Sequence, residues 1–210
     1  MTRTDLVAFD QAWGRFSSQL SAYSPADFVA LQPAASVEEL TRLEAQLGFR
    51  LHPEVRALLE RHNGVAELQP TGDRDPFQPG AFLLGYRLNH TDRIASEHVN
   101  LVDFGEENIA SDLWEEGELN GHPHQWVPIA HSNDAGVVFV DHRPGPTYGR
   151  VYEMGIGSGD IDATEWASGV AELLERFADC FEAGTPFTDY RPRKYAHSSG
   201  RHSVDWEIHP

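Results

Sequence analysis

The chain has 210 residues, of which 40% are hydrophobic, and a formal net charge of −17 at pH 7. This length is typical of one domain with appendages, and the apolar fraction is sufficient for a hydrophobic core. The single cysteine, Cys180, excludes an internal disulfide and a cysteine-rich metal site, and we predict that it packs as a small buried residue. No stretch approaches the roughly 20 apolar residues of a membrane span, and the amino terminus lacks the apolar run of a signal peptide, so we expect a soluble cytoplasmic protein.

Acidic residues are concentrated in the middle of the chain. No lysine or arginine occurs between Arg93 and Arg143. The same interval carries ten carboxylates: Glu97, Asp103, Glu106, Glu107, Asp112, Glu115, Glu116, Glu118, Asp134 and Asp141. Such a surface repels nucleic-acid phosphates and anionic lipid, and it attracts a basic protein. The alternative is that the acidity only keeps the protein soluble.

The first residues predict an amphipathic helix. Apolar side chains recur at three- and four-residue spacing over residues 5–20, and Pro25 is placed to open a short helical turn. We therefore expect a helical extension over residues 1–25.

Two further helices are predicted between Ser36 and Gly64. Ser36 and the glutamate three residues later match a capping box, and Gly48 is a helix stop. Pro53 suits the first position of the next helix, which Asn63-Gly64 closes because both residues tolerate the left-handed conformation.

The middle of the chain predicts a strand and then a helix. Residues 81–86 are expected to form the strand, and residues 89–101 the helix, with Asn89 or Thr91 as its cap. The acidic segment is expected to hold a separate short helix around residues 108–114.

From residue 125 the apolar pattern alternates with a period of two. Strands are predicted at residues 125–131, 137–141 and 149–154, and the short turns between them indicate an antiparallel meander. Asp162 and Glu165 match a second capping box and predict a last helix that ends at Gly184. Residues 185–210 lack periodicity and form either an ordered extension or a frayed tail.

Tryptophans and histidines are the remaining candidates for special roles. Trp126 and Trp166 are predicted core anchors, whereas Trp114, lying among carboxylates, could belong to the core or to an interface. Imidazoles and one carboxylate, which zinc and similar metals bind, occur close together in the chain: His122, His124, His131, Asp134 and His142. Their spacing matches no known ligand signature, so solvated loop histidines are the favoured interpretation.

No catalytic or cofactor-binding motif is recognised. The glycines of residues 155–159 do not have the spacing of a dinucleotide fingerprint, and the strand before them alternates as an antiparallel strand does. The paired carboxylates lack the apolar surroundings that would raise the pKa of a general acid. We therefore predict no cofactor, no catalytic residue and no metal.

Two segments of the chain resemble a known family. They read E-E-L-T-R-L-E-A-Q-L-G-F-R-L-H-P-E-V-R-A-L-L-E-R-H-N-G and W-V-P-I-A-H-S-N-D-A-G-V-V-F-V-D. They resemble the SUKH superfamily of fungal Smi–Knr cell-wall regulators and bacterial immunity proteins, over about residues 30–182. The family-like positions are Glu44, Leu47, Gly48, Leu51, Pro53, Asn63, Gly64, Trp126, Pro128, Ile129, Gly136 and Asp141. The family usually has leucine where His52 stands and often glycine where Val65 stands.

The resemblance implies an α+β fold in which helices pack on a mostly antiparallel sheet. It divides the chain into an extension (1–25), a SUKH-like domain (26–184) and a second extension or tail (185–210). It also implies a non-catalytic protein-binding domain, an immunity protein against a polymorphic toxin that could be a nuclease. A regulatory scaffold is the alternative, and a metal-dependent hydrolase is a third hypothesis.

We predict that a basic protein binds an acidic surface, and that neither nucleic acid nor membrane is a partner. The predicted contact residues are Asp103, Glu106, Glu107, Asp112, Trp114, Glu115, Glu116, Glu118, Asp134 and Asp141. The sequence gives no indication of the oligomeric state.

Overall fold

The computed structural model describes residues 3–66, 79–115, 119–156, 162–197 and 200–209, with only the backbone described at residues 3–5. The helices in these ranges are α1 (Arg3–Tyr23), α2 (Pro25–Val29), α3 (Val37–Leu47), α4 (Pro53–Arg61), α5 (Thr91–Ala110) and α6 (Val170–Ala183). The strands are β1 (Arg87–Leu88), β2 (Trp126–His131), β3 (Val137–Asp141), β4 (Val151–Met154), β5 (Thr164–Ala167), β6 (Tyr190–Ala196) and β7 (His202–Ile208). None of the described helices is long and apolar enough to cross a membrane.

Helix α3 begins and ends as predicted. Helix α4 begins as predicted but ends at Arg61, where His62 is extended, and not at Asn63-Gly64. The Ser36 hydroxyl accepts from the Glu39 amide at 3.2 Å, and the Ser36 amide donates to the Glu39 carboxylate at 2.7 Å, which completes the capping box of α3. Gly48 follows with φ of 81° and ends the helix. Pro53 starts α4, and the preceding His52 accepts from the Glu54 amide.

The central sheet is an antiparallel meander, as predicted. Strands β1 to β5 pair in chain order, each antiparallel to the next. Together with the helices this confirms the α+β class. The predicted strand over residues 81–86 is wrong, however, because Leu84 and Gly85 both have positive φ and form a turn, and β1 begins only at Arg87.

Helix α5 has 20 residues and is longer than the helix predicted over residues 89–101. It continues through the acidic segment to Ala110, so the separate helix predicted at 108–114 is wrong. A buried stripe that includes Ile94, Leu101 and Gly105 holds this length against the sheet. Its cap is His90, whose Nδ1 accepts from the Arg93 amide, and not Asn89 or Thr91.

The predicted start of the last helix is also wrong. The segment expected to be its first turn is β5, which pairs with β4 and buries Trp166. Helix α6 starts at Val170 with Gly169 as its cap. The Glu54 carboxylate, from α4, accepts from the Ala171 amide at 3.0 Å. An acceptor that comes from a distant helix leaves no local pattern in the sequence.

The sheet separates two hydrophobic clusters. Alternate residues of β3 belong to different clusters: Val138 packs with the helices α1, α3, α4 and α6, whereas Phe139 packs with Leu101, Trp114 and Trp126. Trp126, Trp166 and Cys180 are all buried, which confirms their prediction as core residues.

Both ends of the chain pack on the domain between them. Phe9 and Phe16 of α1 are fully buried in the larger cluster. Residues 185–210 include the hairpin β6–β7, an ordered extension in which Val204 and Trp206 pack on the same cluster. The Tyr23 hydroxyl donates to the Pro192 carbonyl at 2.9 Å, which joins the two extensions.

Candidate functional site

Five of the predicted contact residues form an exposed acidic surface at the end of α5. They are Asp103, Glu106, Glu107, Asp112 and Glu115. In the part of the chain that the structure describes, none of the five is in an ion pair. Glu116 and Glu118 lie outside the described residues. We call these five residues the α5 acidic surface.

The position of the α5 acidic surface opposes the stability of its own helix. The carboxyl end of a helix carries a partial negative charge and favours cations. The last turn of α5 has no basic residue, and Glu106 and Glu107 precede it directly. Helix stability therefore does not explain why carboxylates occupy this end.

The end of α5 exposes a leucine and buries the tryptophan. Asp112 has φ of 57°, and the Leu113 amide donates to the Asn108 carbonyl at 2.9 Å, as in a Schellman motif. Leu113 is 63% exposed, whereas Trp114 is 5% exposed and packs against Trp126 with ring centroids 5.9 Å apart. Trp114 is therefore a core residue, and the prediction of a contact role for it is not supported. Leu113 is the apolar side chain that the acidic surface presents.

Asp141 is also unsuited to the predicted contact role, because it is fully buried. Its carboxylate accepts from the Arg143 amide at 2.9 Å and lies 3.1 Å from the Arg143 guanidinium. The charge is neutralised within the chain and is not available to a partner.

Asp134 is exposed but lies far from the α5 acidic surface. It is in the turn between β2 and β3, beyond His131. Helix α5 reaches the opposite end of β2, where His98 contacts the Trp126 carbonyl and the position of Gly105 adjoins Pro123. The length of β2, about 17 Å at about 3.3 Å per residue, separates the two ends.

Asp134 instead lines a groove between the sheet and the carboxyl-terminal hairpin. The groove has a volume of about 870 Å³. Its lining combines aromatic rings with carboxylates, among them Tyr86, Asp134, Glu153, Trp166, Tyr190, Asp205 and Trp206. Sequence reasoning missed this groove because its wall comes from a hairpin that shows no periodicity.

The histidines considered for a metal site are dispersed. His142 is buried, and its Nε2 accepts from the His52 amide at 2.8 Å. His122 and His124 contact each other in the loop before β2, while His131 approaches the Asn89 side chain. Among the described residues, no group of three or more His, Cys, Asp or Glu is placed to hold a metal ion.

The residues at the family-like positions make contacts that hold segments of the fold together. Glu44 accepts from the Leu51 amide at 3.0 Å, and Asn63 accepts from the Thr91 amide at 2.8 Å, so each joins one helix to the next segment. Gly64 has φ of 69°, and a Cβ atom there would lie 2.4 Å from the His90 nitrogen. Pro128 accepts from the Asn89 side chain, the Ile129 carbonyl accepts from the Asn89 amide, and a Cβ atom at Gly136 would lie 2.5 Å from the Tyr86 hydroxyl.

A comparison with protein families finds a match over most of the chain. The model of the SMI1 / KNR4 family (SUKH-1) matches residues 34–182. No curated protein matches the chain. The matched range contains the meander, helices α3 to α5 and all but the last residue of α6, and it excludes α1, α2 and the hairpin β6–β7.

Proposed function

Because the chain belongs to the SMI1 / KNR4 family (SUKH-1), which includes toxin immunity proteins, we propose that it is a non-catalytic domain that binds and neutralises a basic toxin. The α5 acidic surface is the proposed contact area. The toxin would be a protein whose working surface is itself basic, as the nucleic-acid-binding cleft of a nuclease is.

The placement of unpaired carboxylates at the wrong end of a helix is the observation that carries the proposal. Glu106, Glu107 and Asp112 lie where the helix dipole favours a cation, and among the described residues none of the three is in an ion pair. A charge that lowers helix stability is explained if it serves binding. Solubility alone would be served equally well by carboxylates at the amino ends of helices.

The surface also has the composition of an interface. Exposed Leu113 supplies an apolar contact that a partner can bury, and the carboxylates around it form a polar rim. Their negative potential accelerates the approach of a basic protein, and this acceleration weakens as salt screens the charges. Binding would then cover the basic cleft of the toxin and exclude its substrate.

The experiment is the charge reversal Glu106→Lys with Glu107→Lys, measured against the basic toxin domain that we expect a neighbouring gene to encode. The matched control is Glu38→Lys with Glu60→Lys, two exposed carboxylates on α3 and α4. Each reversal adds two charges, so both double variants change the net charge from −17 to −13. We expect the α5 variant to associate about tenfold more slowly at low salt and to lose most of its salt dependence, while the control stays within about twofold.

Protection of growth is the second measurement. Cells that express the toxin domain should survive with the unaltered protein and with the control, and should lose protection with the α5 variant. Equal kinetics for both variants would contradict the role of the α5 acidic surface. A partner without toxic activity would contradict the immunity role and would favour a regulatory scaffold.

A further inference from the structure

We propose that a pocket beside the first turn of α5 binds a small oxyanion, a group with the chemistry of a carboxylate or a phosphate. The pocket has a volume of about 350 Å³ and lies between the start of α5, β1 and the end of β2. We call it the α5 pocket. Its polar lining includes Arg87, His90, Arg93, His131 and Asn133.

The charge of the α5 pocket is opposite to that of the chain. The protein has 33 acidic and 16 basic residues, yet the described lining of this pocket holds two arginines and no carboxylate. The imidazoles of the lining are neutral or positive and add no negative charge. Most of the surface repels an anion, and this pocket attracts one.

Arg87 supplies a buried positive charge that contacts only neutral acceptors. It is 4% exposed, and its guanidinium donates to the Pro79 and Ala66 carbonyls at 2.8 and 2.7 Å. Burial lowers the pKa of Arg87, and the negative charge of Asp27 acts in the opposite direction. The Asp27 carboxylate itself accepts three other hydrogen bonds.

A buried charge is normally paired, because leaving it without an opposite charge is costly. An anion in the α5 pocket would supply that opposite charge. Because Arg87 is buried, it attracts the anion through its electric field, and we do not count its N–H groups as contacts.

Arg93 and Asn133 supply the donors that an anion can reach. The Arg93 side chain is 39% exposed, and its Nη2 lies 2.7 Å from the Glu97 carboxylate one turn further along α5. Nη1 has no partner among the described residues, and the buried Nε is not counted. Asn133 is exposed in the turn after β2 and carries an amide N–H₂ group. Guanidinium groups pair well with carboxylates and phosphates alike.

The amino end of α5 adds to the positive potential. Its cap, His90, and Arg93 of its first turn both line the pocket, and this end of a 20-residue helix carries a partial positive charge. The Thr91 amide donates to the Asn63 side chain, and the Arg93 amide donates to the His90 ring. These amides are used, so the helix contributes its dipole and not further hydrogen bonds.

Two carboxylates adjoin the pocket without lining it, and they limit its affinity. Glu97 offsets the charge of Arg93, so Arg87 provides the net positive charge. Asp134 follows Asn133 but lines the groove beside the hairpin, and it accepts from the Ser132 hydroxyl. One uncancelled charge and a few hydrogen bonds correspond to a dissociation constant on the order of 1 mM. The volume is near the lower limit of ligand pockets and suits a small acid.

The test titrates the full chain with sodium phosphate and, separately, with sodium acetate, followed by NMR. Sodium chloride at the same ionic strength is the control, because salt alone screens the repulsion within a chain of net charge −17. We expect both oxyanions, and not chloride, to shift the side-chain amide signal of Asn133 and the backbone amide signal of Leu88. Tighter binding of phosphate would assign a phosphate ligand, and tighter binding of acetate a carboxylate.

Variants test the two arginines. Arg93→Gln should weaken binding of the preferred oxyanion about tenfold. The matched control is Arg61→Gln, at an exposed arginine that is also in an ion pair, and it should change the affinity by less than about twofold. Arg87→Gln should abolish binding, and Arg93→Gln keeps the test decisive if the Arg87 variant does not fold. Glu97→Gln frees Arg93 and should strengthen binding about threefold, which a purely structural role of Arg93 does not predict.

Three results would overturn the assignment. One is the absence of any shift at about 10 mM phosphate and acetate, and another is an equal shift with chloride. The third is an affinity that Arg93→Gln leaves unchanged. The α5 acidic surface lies at the other end of the helix, about 30 Å away at 1.5 Å per residue. These measurements need no toxin, so this proposal and the proposed function fail separately.

Discussion

His142 shows how one buried side chain can make stability depend on pH. Its Nδ1 donates to the Val140 carbonyl at 2.9 Å, and its Nε2 accepts from the His52 amide at 2.8 Å. The bond from His52 requires the neutral ring, because the imidazolium has no acceptor. Burial, helped by the nearby His52, lowers the pKa of His142 from 6.5 to about 4.

We predict that acid destabilises the fold through this residue. The unfolded chain takes up a proton at His142 near pH 6.5, whereas the folded chain does so only near pH 4. The contribution of His142 to the free energy of unfolding is therefore complete above pH 6.5 and is lost progressively as the pH falls toward 4. The loss should total about 3 kcal/mol. The free energy of unfolding, measured in urea at pH 7, 5.5 and 4, should fall less steeply with decreasing pH in His142→Gln than in the unaltered protein. His124→Gln, at an exposed position, should keep the pH dependence of the unaltered protein. The same pH dependence in both variants would contradict the prediction.

At the scale of elements, helix α5 has a stabilising residue at its start and a destabilising residue at its end. His90 caps its first turn, whereas Asp112 occupies the left-handed position after its last turn, where glycine is usual. The carboxylate of Asp112 also faces the negative end of the helix dipole. Both features lower the stability of this end of the helix, and a different residue at position 112 could raise it.

We predict that Asp112→Gly stabilises the protein by about 1 kcal/mol, because glycine adopts positive φ without steric strain. Asp112→Asn removes the same charge but keeps the size of the side chain, so it should give a smaller gain. Asp112→Ala should destabilise the protein, because alanine is strained at this φ. Thermal unfolding of the three variants measures the order, and an alanine variant at least as stable as the glycine variant would contradict it.

At the scale of the molecule, Asp27 holds three distant segments together. Its carboxylate accepts from the amides of Gly80 and Val204, each at 2.6 Å, and from the Ser24 hydroxyl. Asp27 is 1% exposed, and burial raises its pKa while these hydrogen bonds act in the opposite direction. One residue near the amino terminus thus positions β7 and, with it, one wall of the groove.

We predict that Asp27→Asn loosens the hairpin. The amide can accept only one of the two backbone N–H groups through its oxygen, and its own N–H₂ group faces the other. A buried donor left unpaired costs about 1–3 kcal/mol. Hydrogen exchange should show faster exchange of the Val204 amide, and urea unfolding a lower stability. Asp10→Asn, which alters an exposed ion pair with Arg61, should change neither. Unaltered exchange at Val204 would contradict the role of Asp27.

Helix ends that depend on neighbouring residues were predictable, and those that depend on distant ones were not. Ser36, Glu39 and Gly48 define α3 by contacts within a few residues, so pattern and structure agree. The start of α6 was wrong because residues 164–167 pair with β4 and the helix receives the Glu54 carboxylate from α4. Contacts across more than 100 residues are invisible to any local pattern.

The sequence alone determined the meander and the excess of acid, because these follow from periodicity, turn residues and composition. The family, and the α+β class that it implies, came from the resemblance of two segments. Tertiary structure decided which acids can act together. Trp114 and Asp141 are buried, and Asp134 lies at the far end of β2 from α5. There Asp134 lines a groove whose other wall is a hairpin that has no periodicity in the sequence. The physical reason is that exposure and proximity arise from packing between segments far apart in the chain, and this packing sets the charge that a partner meets.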